Sequence, residues 1–75
     1  MKTYTRIYKK NRPSQDWQLA TDPIFGNLPG VAIGTRITVS HDTEEYAVER
    51  IVHRIDTDSS SMFIDIYACP RRANI

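Results

Sequence analysis

Seventy-five residues of ordinary composition, 40% hydrophobic and 25% charged, point to a single small folded domain over residues 1–75 and argue against a disordered or fibrous chain. A chain of this size buries only about 60% of its unfolded surface, so association with further chains is a natural supplement to its stability. The net charge of +1, from ten Lys and Arg against nine Asp and Glu, lacks the overall positive field of a dedicated nucleic-acid binder.

The first run, Lys2 to Lys10, carries Thr3, Tyr4, Thr5, Ile7 and Tyr8 in near alternation and reads as a strand that Pro13 ends. Trp17 to Thr21 is a candidate second, short strand. Asp22 to Gly34 holds Pro23, Gly26, Asn27, Pro29, Gly30 and Gly34, the chemistry of a loop. Its Ile24, Phe25, Leu28, Val31 and Ile33 are too apolar for a free linker, and the segment is expected to lie across one end of a core. Three further runs, Thr35 to Ser40, Tyr46 to Ile55 and Met62 to Cys69, are separated by polar, turn-prone stretches and read as an antiparallel meander. Ile37 and Val39, and then Met62, Ile64, Ile66 and Ala68, are expected to point inward.

The run from Tyr46 to Ile55 is ambiguous, since Ala47, Val48, Ile51, Val52 and Ile55 also fit one face of a helix capped by Asp42 or Thr43. The β-branched content and the length favour a strand. Its alternation slips between Val48 and Ile51: either a β-bulge near Glu49 and Arg50 brings Tyr46, Val48, Ile51 and Ile55 to one face, or both faces of the strand are buried, which Phe63, Tyr67 and Cys69 on the other face of the last strand support. The expected fold is therefore mainly β, a small antiparallel sheet of four or five strands curled into a half-open barrel. The alternative is an α+β fold with a helix at about residues 43–55.

Patterns that carry chemistry are sparse. Cys69 is the only cysteine, which leaves no internal disulfide and fits an intracellular, cytoplasmic location. No apolar run approaches the roughly 20 residues needed to cross a bilayer, and Met1 to Tyr4 opens no leader pattern, so membrane and export are not expected. His41, His53 and Cys69 form no close ligand pair, and no metal or cofactor is expected. Asp56 to Ser60 begins like a calcium loop but lacks glycine at the sixth position, where Ser61 stands, and glutamate at the twelfth, where Tyr67 stands; a hairpin turn explains it. Ser59, Ser60 and Ser61 come with no G-x-S-x-G elbow, and adjacent Glu44 and Glu45 face opposite ways in a strand. The glycines at 26, 30 and 34 are followed by no Gly-Lys-Ser or Gly-Lys-Thr. The chain is read as a non-enzyme with no evident small-molecule substrate.

Two surfaces remain. Phe63 and Tyr67 lie on the nominally outer face of the last strand, and apolar residues there invite a partner or a covering loop. With Phe25, Leu28 and Val31 of the loop they form the candidate protein-binding set. Trp17, Phe25 and Leu28 are otherwise core cover. Lys2, Arg6, Lys9, Lys10 and Arg12 crowd the first twelve residues, while the nine acids fall between Asp16 and Asp65. Tyr4, Arg6 and Tyr8 share one face of a regular strand, and with Lys9 and Lys10 they are the kind of surface that stacks on bases and meets phosphates. The plainer explanation is a solvated edge strand whose charges prevent aggregation.

Pro29-Gly30-Val31, the stretch Tyr46-Ala47-Val48-Glu49-Arg50-Ile51-Val52-His53 and Ile64-Asp65-Ile66-Tyr67 together resemble small uncharacterised β proteins encoded by phages and other mobile elements, including integron cassettes. The resemblance covers about half the chain. It implies an accessory role through protein contacts, for example inhibition of a host system, and transfers no catalytic residue. The expected function is a small binding module acting through protein–protein contacts, in a homo-oligomer or larger assembly. The alternative is a nucleic-acid binder using the basic N-terminal strand.

Overall fold

The computed structural model describes residues 2–10, 12, 14–38 and 44–70. Six strands, β1 (Lys2–Lys9), β2 (Gln18–Leu19), β3 (Ile24–Phe25), β4 (Arg36–Thr38), β5 (Glu45–Asp56) and β6 (Ser61–Pro70), lie in one sheet. Their order is β2-β1-β6-β5-β4, with β3 also alongside β1. The fold is mainly β and the sheet curls into a half-barrel. Residues 45–56 are strand, so the helical alternative is set aside: Val48, Ile51, Val52 and Ile55 carry branched Cβ atoms that crowd a helix and suit a pleated surface. Val39 and His41 lie outside the described residues.

β4, β5 and β6 form the antiparallel meander read from the turns. The Asp56 carboxylate accepts the Asp58 N–H at 3.0 Å and Ser60 takes a left-handed φ of 52°, so the segment closes on itself as a hairpin turn. One pairing departs from the all-antiparallel expectation. β1 runs parallel to β6 over its full length, from Lys2 opposite Ser61 to Lys9 opposite Ala68. Alternation within a strand records which side chains share a face and carries nothing about the direction of its neighbour. β1 is consequently not an edge strand. β6 flanks it on one side, and β2 and β3 cover the Tyr8–Lys9 and Tyr4–Thr5 pairs on the other.

The core lies on the face formed by Ile7, Val48, Ile64 and Ile66, against which Ala20, Ile24, Leu28, Val31, Ile37 and Ile51 pack. Leu28 and Val31 come from the Asp22–Gly34 segment, which does lie across the sheet as its apolar content requires. It is tied down by the Gly26 N–H on the Thr3 carbonyl at 2.7 Å and the Gly34 N–H on the Val48 carbonyl at 2.8 Å. Both glycines have positive φ, 101° and 90°, a backbone region costly for any residue with a Cβ. Phe25 and Ile33 of the same segment stay exposed and take no part in the core.

The bulge is where the slipped alternation puts it. The β5–β6 register jumps from Val48 opposite Ala68 to Arg50 opposite Tyr67, leaving Glu49 as the extra residue. Tyr46, Val48 and Ile51 thereby stay on the core face. Ile55 falls on that face too but is 64% exposed, because the β5–β6 hairpin runs on past the covering segment.

Candidate functional site

The side of the sheet turned away from the covering segment is built by period two and by register. Tyr4, Arg6 and Tyr8 of β1 stand opposite Phe63, Asp65 and Tyr67 of β6. Those three in turn stand opposite Arg54, Val52 and Arg50 of β5. Phe25 and Leu19 extend the rows, opposite Tyr4 and Tyr8. The chain has seven aromatic residues, and Tyr4, Tyr8, Trp17, Phe25, Phe63 and Tyr67 gather here, while Tyr46 belongs to the core.

The rings form two groups. Tyr4 stacks on Phe63 with centroids 5.7 Å apart, and Phe25 meets Tyr4 edge-on at 5.5 Å. Tyr8 stacks on Tyr67 at 5.1 Å, and Trp17 meets Tyr67 edge-on at 5.0 Å. Such pairs contribute about 0.5–1.5 kcal/mol each beyond area burial. Cations cap the rings: the Arg6 Cζ lies 4.1 Å from the Phe63 centroid, Arg50 Cζ 4.4 Å from that of Tyr67, and Lys10 Nζ 4.6 Å from that of Trp17.

Asp65, 1% exposed, joins the two groups. It accepts Arg6 Nε at 2.7 Å and Nη2 at 2.9 Å, a bidentate fork, and Arg54 Nε at 2.8 Å. Arg54 Nη2 also donates to the Tyr67 hydroxyl at 3.4 Å. Both guanidiniums are held above their ordinary pKa, Arg6 by its hydrogen bond to Asp65 and Arg54 by those to Tyr67 and Asp65. They are charged at every physiological pH, and their planes are fixed before any partner arrives.

The candidate protein-binding residues do not form one surface. Phe25 and Phe63 share the outer face through Tyr4, with Phe25 72% exposed. Tyr67 is on that face but buried, with its ring enclosed by Tyr8, Trp17 and Arg50. Leu28 and Val31 are on the opposite side, packed on the core. There, with Pro29, Ile51, His53 and Ile64, they line a half-open cleft of about 280 Å³. Of the candidate nucleic-acid residues, Tyr4, Arg6 and Tyr8 do share the outer face. Lys10 joins them over Trp17, whereas Lys9 lies near Tyr46.

Trp17 is not core cover but packs on the outer face. Cys69 is also there, half-buried opposite Ala47 and not in the core. Burial, with a hydrogen bond to Glu49, pushes its thiol pKa up. Arg50 and Arg54 are members of the site that strand periodicity alone does not reveal, because the bulge at Glu49 decides their face. No group of three or more His, Cys, Asp or Glu among the described residues is placed to hold a metal ion. No helix among them is long and apolar enough to cross a membrane. No protein-family model, curated protein or solved structure matches the chain.

Proposed function

We propose that the chain is a small binding module that acts through protein–protein contacts, docking a partner on the outer face of its sheet. The observation that carries this reading is Phe25, largely exposed at the end of an aromatic row with Tyr4 and Phe63 and bordered by fixed arginines. Interface cores are enriched in aromatic side chains and Arg and depleted in Lys and Glu, and this face has that composition. Its three long strands contribute Lys2, Arg6, Arg50 and Arg54 against Glu45, Glu49, Asp56 and Asp65, the two glutamates lying at the end of β5 away from Phe25. A partner that suits the Phe25 end offers apolar groups to its ring and carboxylates to Arg6 and Arg54 beside it. An accessory role for a phage or other mobile element, such as inhibition of a host system, suits a module of this kind.

Single-stranded nucleic acid is the rival ligand, since rings and cations interleave along β1. Base stacking needs a free ring face. Tyr4 and Phe63 turn theirs to each other, as do Tyr8 and Tyr67, and Asp65 already engages two of the guanidiniums. The test places a photo-crosslinking amino acid at position 25, and at exposed Ile33 as the control, in extracts of the producing cells. A discrete protease-sensitive adduct at 25, absent at 33 and reduced by Arg54→Glu, is expected. A nuclease-sensitive adduct, lost as salt rises, would instead establish the rival, and equal labelling at both positions would remove the outer face from consideration.

A further inference from the structure

We propose that two copies of this chain pair through the free edge of β5, antiparallel about His53, to make one continuous sheet. β5 is twelve residues long, but β4 pairs only with Glu45 to Ala47. Val48 then exchanges backbone hydrogen bonds with Gly34 and Thr35, at 2.8 and 2.9 Å. Among the described residues nothing pairs with that side of Arg50 to Asp56, while β6 holds the other side throughout. Seven residues of strand edge with neither Pro nor Gly nor Lys are a template for another strand.

The backbone says which groups point outward. Val48 bonds toward the segment beside β4, so its pairing with Ala68 is of the non-hydrogen-bonded kind. Two residues along β6, Ile66 opposite Ile51 repeats that kind, followed by Ile64 opposite His53 and Met62 opposite Ile55. The N–H and C=O groups of Ile51, His53 and Ile55 therefore face the open edge.

The register follows from charge. A two-fold pair that keeps both outer faces on one side of the sheet must be centred on a residue, so that opposed side chains share a face. Centring on Val52 sets Arg50 against the second copy's Arg54, centring on Arg54 sets Arg54 against itself, and centring on Ile55 leaves only residues 54–56 of each strand paired. Centring on His53 sets Arg50 against the second copy's Asp56, Ile51 against its Ile55 and Val52 against its Arg54. That register makes hydrogen-bonded pairs of Ile51 with Ile55, His53 with His53 and Ile55 with Ile51. Arg54 is already ion-paired with Asp65, and Asp56 uses only Oδ1 within its turn. Ile55, 64% exposed in one chain, comes to lie beside Ile51 of the other, at the cleft under Leu28 and Pro29. The outer faces stay open, so this pairing stands independently of the docking reading above.

The test is the solution mass of the full chain by light scattering at micromolar concentration. A mass twice the 8.6 kDa of one chain is expected. Arg50→Asp sets two carboxylates together and Asp56→Arg two guanidiniums, at two symmetric places. Each should weaken association about tenfold, and the double swap should restore it. Circular dichroism checks that each variant is folded. A monomer, or a dimer indifferent to the swap, would overturn the proposal; a dimer abolished by Phe25→Asp alone would mean that the outer faces join instead.

Discussion

The carboxylate of Asp65 is sealed from water, whereas the guanidiniums that hold it keep one side in solvent. Asp65→Ala leaves two arginines that can rehydrate, and should cost about 1–3 kcal/mol in urea unfolding. Removing Arg6 and Arg54 together strands a buried charge and should cost more than Asp65→Ala, with Arg6→Ala alone milder because Arg54 remains. The equality of the two costs would mean that the carboxylate finds water. The pH dependence has a definite sign. Guanidiniums held above their ordinary pKa contribute stability at every pH below that value and lose it only beyond, so this network is indifferent to mild alkali. Cys69 is different. Its raised pKa means that the unfolded chain releases the thiol proton first, and stability should fall as pH rises past the ordinary thiol value. That slope should vanish in Cys69→Ala when the urea midpoint is followed against pH. At this scale Tyr4, Arg6 and Tyr8 were readable as one face from period two. Arg54 was readable only by carrying the bulge at Glu49 forward, which puts Arg50, Val52 and Arg54 together with Asp65.

The bulge in β5 reconciles two halves of a strand whose apolar positions are out of step. Deleting Glu49 would close the bulge into regular pairing, with Val48 opposite Ala68, Arg50 opposite Tyr67 and Ile51 opposite Ile66, so that Tyr46, Val48 and Ile51 all keep the core face. The deletion should leave the chain folded by circular dichroism, and Glu49→Ala should stay within about 0.5 kcal/mol of the parent. A deletion that unfolds the chain would show that the local twist of the bulge, and not only the alternation, is required. Gly34→Ala, at φ 90°, should cost about 1–2 kcal/mol and loosen the covering segment. The strand at residues 45–56 and the bulge were legible because branched side chains and a slipped alternation are local signals. The exposure of Ile55 was not, since it depends on how far a separate segment reaches along the sheet.

The whole molecule turns on the parallel seam between β1 and β6, which brings Tyr4 to Phe63, Arg6 to Asp65 and Tyr8 to Tyr67. The two rows of outer-face residues could each be read from sequence; their meeting could not, because strand order and direction are set by tertiary packing of the complete sheet. Ile7 lies in the core on that seam, so Ile7→Ala should cost about 2–5 kcal/mol, measured by urea unfolding. Pairings between segments so far apart in sequence are slow to close, and stopped-flow refolding in the millisecond-to-second range is expected. On the ribosome the seam has another meaning. β1 emerges before β6, so Tyr4 and Tyr8 must wait, unpaired and accessible to chaperones, until synthesis of β6 gives them their place.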